Sequence, residues 1–261
     1  MVDTTAGANP RIPAWADWSR TYGPRARLGL IVPPSNTTNE TEFARFAPAG
    51  VTVHTMRTPL HLDATAPGFE DAVHADIDRA VDMLTPADPS LLIYACTAGS
   101  MLIDEAALCR HMADRTGTPA ITTTGAILAA LRALDIRRLA VATPYVQALN
   151  DHEQHYFEAR GFAVTAVEGL GIGETPAEYR YLCRVPADVI ADLAARAVAA
   201  SACDGLFVSC TDLPVLPLIA DLEARFGLPV VTSNQATLWH ALRTLGLDDR
   251  LDGLGRLLAE H

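Results

Sequence analysis

Long apolar runs are missing from this chain: no stretch of about 18 or more apolar residues occurs, so there is no candidate for a membrane-spanning helix. The first residues also lack the basic and then apolar pattern of a secretion signal, and a soluble, cytoplasmic protein without a membrane partner is expected. Close CxxC spacing is absent among the 5 cysteines, and an odd number without it gives neither a disulfide framework nor a zinc site. Free thiols in a reducing compartment are the simpler reading. Positive charge is scarce. Lys and Arg number 20 against 31 Asp and Glu, a formal net charge of -11, which leaves no basic patch for nucleic acid. An anionic small ligand stays possible, because backbone amides at helix starts bind carboxylates whatever the overall charge. No GxSxG or P-loop phrase is present, and no low-complexity tract suggests disorder.

What is there reads as one text written twice. Leu92-Ile93-Tyr94-Ala95-Cys96-Thr97 is echoed about 114 residues later by Leu206-Phe207-Val208-Ser209-Cys210-Thr211. Leu28 to Pro33 pairs with Leu139 to Pro144, and Gly117 to Thr122 with Gly227 to Thr232, at nearly the same offset. An internal duplication in 261 residues implies two similar lobes related by an approximate two-fold axis. A ligand between them would meet one thiol from each side.

Residues 1–26 have little period, with Trp15 and Trp18 among polar residues, and read as an N-terminal arm. From Arg27 onward, apolar runs alternate with segments of helical period. Strands are predicted near 27–33, 51–57, 90–95, 137–143, 162–167 and 204–209. Helices are predicted near 37–46, 69–84, 101–116, 124–134, 146–160, 186–201, 215–226 and 235–246. This alternation indicates an α/β protein of parallel sheets with helices on both faces. The first lobe is placed at 27–122 with 234–261 and the second at 123–233, joined by crossing segments near Thr122 and Ser233.

Open sheets of this kind bind ligands beyond the carboxyl ends of their strands. Small polar or reactive residues sit there: Ser35-Asn36-Thr37 after the first strand, Cys96-Thr97-Ala98 after the third, Thr143-Pro144-Tyr145 at the repeat of the first, and Cys210-Thr211-Asp212 after the last. A thiol at a strand-to-helix turn lies beside unpaired N–H groups and the positive end of the helix dipole, so its pKa is expected to fall. Two thiols facing one small substrate act as acid and base, or as nucleophile and proton donor, without a metal or organic cofactor. Cys109, Cys183 and Cys203 are assigned to packing. His152 and His155 lie one turn apart without a third ligand and read as solvated. The glycines of Gly169-Leu170-Gly171-Ile172-Gly173 lack dinucleotide-loop spacing, and a bend or mobile lid is the expectation.

Taken together, Arg27 to Thr37, Ala95 to Ser100, Ala142 to Tyr145, Ser209 to Thr211 and Thr232 to Ala236 resemble the maleate cis-trans isomerase and arylmalonate decarboxylase family, within the aspartate/glutamate racemase superfamily. The resemblance covers Arg27 to Gly246. It implies two Rossmann-like lobes, an active site in the cleft, no cofactor, a small carboxylate substrate and a homo-oligomer. It further implies Cys96 as nucleophile and Cys210 as acid/base partner, with Asn36 and Tyr145 holding substrate carboxylate. Ser35, Thr97, Ala98, Thr211 and Asp212 complete the expected binding set. The family's decarboxylases keep only the second cysteine, so retention of Cys96 leans towards the isomerase branch.

One departure from the family pattern matters. Maleate isomerases usually carry an asparagine shortly after a Gly-Leu-Gly-Ile phrase, and it helps hold the second carboxylate. Here Gly173-Glu174-Thr175-Pro176-Ala177-Glu178-Tyr179-Arg180 follows, with no asparagine. Arg180 could replace it, or Glu174 and Asp212 could face an amine or neutral ligand; a surface role for all three competes with both. The leading expectation is a cofactor-independent isomerase of a maleate-type dicarboxylate. A two-cysteine racemase or decarboxylase of a related small acid, amino acid derivative or cyclic amide stands beside it, and a non-enzymatic ligand sensor is the third reading.

Overall fold

The computed structural model describes residues 21–261, so most of the expected N-terminal arm lies outside the described residues. Within them, the strands β1 (Ala26–Val32), β2 (Val51–Arg57), β3 (Leu91–Tyr94) and β4 (Ala120–Thr122) form one parallel sheet in the order β2-β1-β3-β4. The strands β5 (Arg138–Tyr145), β6 (Ala163–Ile172), β7 (Gly205–Val208) and β8 (Val230–Thr232) form a second in the equivalent order β6-β5-β7-β8. The duplicated text thus folds into duplicated sheets. Every residue of β3 and β7 is buried, as are all but one of β1 and of β5, because helices cover both faces of such sheets.

The helices are α1 (Thr38–Phe46), α2 (Phe69–Leu84), α3 (Thr97–Met101), α4 (Glu105–Thr116) and α5 (Thr123–Ala133), then α6 (Gln147–Glu158), α7 (Ala187–Ala200), α8 (Ile219–Phe226), α9 (Ser233–Thr244) and α10 (Gly255–Glu260). Local chemistry repeats along with topology. Thr122 caps α5 by accepting from the Gly125 N–H, and Thr232 caps α9 by accepting from the Gln235 N–H, so equivalent threonines start equivalent helices. Helices α5 and α9 pack against each other between the two sheets, and one apolar core runs through both halves.

Four predicted features differ from the structure. The three-residue strands β4 and β8 are too short to show a period. The helix predicted over 101–116 starts later, at Glu105, since Asp104 caps it by accepting from the Ala107 N–H, and the short α3 precedes it over Thr97–Met101. α10 follows the last predicted helix. The glycine phrase is neither bend nor lid over Gly169 to Ile172: it is the far end of β6, paired with β5 through register shifts. Gly169 is required there, because a Cβ would stand 2.4 Å from Asn150 Nδ2 and 2.8 Å from the Tyr145 carbonyl.

In each sheet the chain leaves the first strand to one side and returns on the other, so β1/β3 and β5/β7 are switch points where two loops diverge and leave a crevice. Asn36 and Cys96 follow the first pair, and Tyr145 and Cys210 end or follow the second.

Candidate active site

A small cavity lies where the two crevices meet. All nine residues expected at the site line it: Ser35, Asn36, Cys96, Thr97, Ala98, Tyr145, Cys210, Thr211 and Asp212. Leu60, Leu62, Leu149, Tyr179 and Leu182 complete an apolar wall that sequence reasoning missed. Tyr179 and Leu182 come from the 3-10 segment Pro176–Arg184, which follows β6. Ser35, Leu60, Leu62 and Tyr179 also line a wider outer vestibule with Pro34, Pro59, Asp63 and Pro176.

The two thiols occupy related but unequal positions. Cys96 is the N-cap of α3, its sulfur accepting from the Gly99 N–H at 3.3 Å. Cys210 Sγ accepts from the Asp212 N–H at 3.3 Å, and Tyr145 lies near enough to oppose the rise in its pKa. The Cys210 backbone sits at φ 100°, a region that L residues rarely enter, so the turn holding this sulfur is strained. Ser233 ties the two loops together: its Oγ accepts from the Thr97 hydroxyl at 2.8 Å and from the Cys210 N–H at 3.0 Å. The signal for it was the Thr232-Ser233-Asn234 phrase, which the resemblance included without giving Ser233 a role.

The expected fall in thiol pKa is corrected by the structure. Burial pushes Cys96 up to about 11 against the opposing Gly99 N–H. Burial, with the nearby charge of Asp212, pushes Cys210 up to about 12 despite Tyr145 and the Asp212 N–H. Exclusion from water outweighs the N–H groups at each turn, and in this closed arrangement both groups are neutral thiols.

Asn36 and Asp212 connect the halves. Asn36 Oδ1 accepts from the N–H groups of Thr38 and Asn39, at 3.1 and 3.0 Å, while its Nδ2 donates to Thr211 Oγ1 at 3.0 Å. Asp212 Oδ1 accepts from the N–H groups of Thr37 and Thr38 at 3.0 and 3.2 Å. The start of α1 is therefore already supplied with a carboxylate by the protein. Burial lifts Asp212 to about 6 against those N–H bonds. Behind this layer, Asn234 Nδ2 donates to Glu42 Oε2 at 2.6 Å and to the Thr211 carbonyl at 3.0 Å, and the Leu216 N–H donates to Glu42 Oε1 at 3.1 Å. Of the three residues singled out around the missing asparagine, only Asp212 lines the cavity. Glu174 and Arg180 are exposed, Arg180 lying over the Tyr181 ring. Among the described residues no cluster of three or more His, Cys, Asp or Glu is arranged to hold a metal ion.

Two parallel α/β lobes that each present a cysteine from a strand end to one shared cavity define a paired-lobe α/β protein with two cavity thiols. This chain belongs to the arylmalonate decarboxylase family, whose model matches residues 28–258. It is 33% identical to a maleate isomerase of Nocardia farcinica over 90% of this chain and 96% of that protein. It is 31% identical to an arylmalonate decarboxylase of Bordetella bronchiseptica over 89% and 96%. Its fold matches a Nocardia farcinica maleate cis-trans isomerase, solved as a cysteine-to-serine mutant with a covalently bound succinylcysteine intermediate, with a TM-score of 0.79 and 30% identity over 90% of this chain and 99% of that one.

Proposed function

We propose that the protein is a cofactor-independent cis-trans isomerase of a small unsaturated acid of the maleate type, with Cys96 as nucleophile and Cys210 as acid/base partner. The observation that carries this reading is the pair of buried thiols lining one cavity, one from each half. Cys96 first gives up its proton to solvent as substrate is admitted; the resulting thiolate adds to one alkene carbon, and the alkene electron pair takes the Cys210 proton at the other. The former double bond is now single and rotates. Cys210 then takes a proton back, the C–S bond breaks, and the trans acid leaves with Cys96 again a thiolate. The high thiol pKa values suit this cycle, since a thiolate destabilised by burial is the more nucleophilic once formed and its partner holds a proton to give. Exclusion of water by the Tyr179 and Leu182 wall protects the adduct. The likeness to an isomerase captured as a succinylcysteine adduct supports the covalent route.

The test is proton NMR of the reduced protein with a maleate-type acid in deuterated buffer, beside Cys96→Ser and Cys210→Ser. Trans product is expected with the wild type and with neither variant. Product formed at the wild-type rate by Cys96→Ser removes the nucleophile assignment. A racemase with the same two thiols is the second reading, favoured by the lack of any Arg, Lys or His in the cavity lining. It would instead place solvent deuterium on the alpha carbon of a saturated acid.

A further inference from the structure

We infer that Asp212 sets substrate specificity, and that one end of the substrate is a primary carboxamide where a dicarboxylate would carry its second carboxylate. The inference rests on the isomerase reading and names its substrate class. Asp212 lines the cavity at 4% exposure. One of its oxygens, Oδ1, is spent on the N–H groups of Thr37 and Thr38; the other, Oδ2, is buried and has no hydrogen-bond partner among the described residues. A buried acceptor without a partner costs about 1–3 kcal/mol, so a donor on the ligand recovers stabilisation there.

A carboxylate cannot be that donor. Two carboxylates sharing a buried site repel, and no Arg, Lys or His lines the cavity to neutralise the pair. Arg57 is the cation whose charge reaches Asp212, but its guanidinium is half-exposed and engaged by Glu40 and the Asn36 carbonyl. The opposite requirement stands beside it. Asn36 Nδ2 gives one of its two protons to Thr211 Oγ1 and keeps the other as a donor. Asn36 and Asp212 both fasten to the Thr37–Thr38 turn, so a free donor and a free acceptor are anchored to one short stretch of backbone. A carboxamide is complementary to both: its oxygen accepts from Asn36 and its N–H donates to Asp212. The acid end then turns to the Thr97 and Ala98 side of the cavity.

Binding of the saturated analogues succinamate and succinate separates this inference from the proposed reaction. Measured by calorimetry at pH 8 on the full chain, succinamate is expected to bind at least tenfold more tightly than succinate. In Asp212→Asn, which keeps Oδ1 for the Thr37–Thr38 turn and replaces the free acceptor with a donor, the preference should collapse or reverse. Equal or tighter binding of succinate by the wild type, an unchanged preference in Asp212→Asn, or no binding of either would overturn the inference. Turnover is read separately on maleamate and maleate with Cys96→Ser as control. No thiol-dependent turnover with the binding preference intact defeats the isomerase reading alone, whereas thiol-dependent turnover with succinate preferred defeats the carboxamide assignment alone.

Discussion

At the scale of single residues, the strain at Cys210 is the feature most open to direct test. Its φ of 100° costs any L side chain on the order of 1–3 kcal/mol, while glycine adopts such angles freely. Cys210→Gly should therefore be more stable than Cys210→Ala by about 1 kcal/mol in denaturant unfolding, although glycine loses more freedom on folding and would be the weaker choice at an ordinary position. An alanine variant as stable as the glycine one would show that the turn carries no strain. The residues of the cavity were legible because parallel sheets place their ligands at strand ends, and Cys96, Asn36, Tyr145 and Cys210 each close an apolar run. The ionisation of the thiols was not. A helix start is visible in sequence, but whether water reaches it depends on Tyr179, Leu182 and Leu149, which come from segments far from either cysteine.

At the scale of elements, α6 carries the buried carboxyl that should dominate the pH dependence of stability. Glu153 is 1% exposed, and burial raises its pKa from 4.5 to about 8. The folded state thus holds a proton that the unfolded state releases. The resulting stabilisation is complete below about pH 4.5 and is lost as pH rises through about 8. Glu42 in α1, raised to about 7 chiefly by burial, acts with the same sign. The wild type should lose on the order of 3 kcal/mol or more between pH 5 and pH 8.5, since one pKa unit is about 1.4 kcal/mol. Glu153→Gln should remove much of that slope and be more stable than the wild type at pH 8.5 in urea unfolding. An identical slope in the variant would mean that Glu153 is ionised in the folded protein. Elements of this length were legible in outline, since α2 and β2 occupy the predicted ranges. β4 and β8 were visible only as repeated phrases: three residues show no alternation, and their identity as strands depends on pairing with β3 and β7.

At the scale of the whole molecule, the duplication does more than build two sheets, because the bonds that close the cavity run between its copies. Asn36 reaches Thr211, the Thr37 and Thr38 N–H groups reach Asp212, Thr97 reaches Ser233, and Asn234 reaches Glu42, so residues after β1 and β3 are fastened to residues after β7 and β8. Such buried bonds contribute about 0.5–1.5 kcal/mol each, and several together hold the halves around the thiols. The consequence is an order of reactivity among the free cysteines. Cys109, Cys183 and Cys203 are partly exposed, while Cys96 and Cys210 are buried. Iodoacetamide labelling followed by mass spectrometry should therefore modify the first three before the cavity pair. Modification of Cys96 and Cys210 requires the halves to part or the Pro176–Arg184 segment to lift, since neutral thiols behind an apolar wall are poor nucleophiles towards a reagent in water. Asp212→Asn keeps the acceptor for the α1 turn and should leave this order intact, whereas Asp212→Ala removes a clamp between the halves and should speed labelling of the cavity pair. Labelling of Cys96 and Cys210 as fast as the others in the wild type would show that the resting protein is open, and that substrate rather than the fold shields the thiols from water.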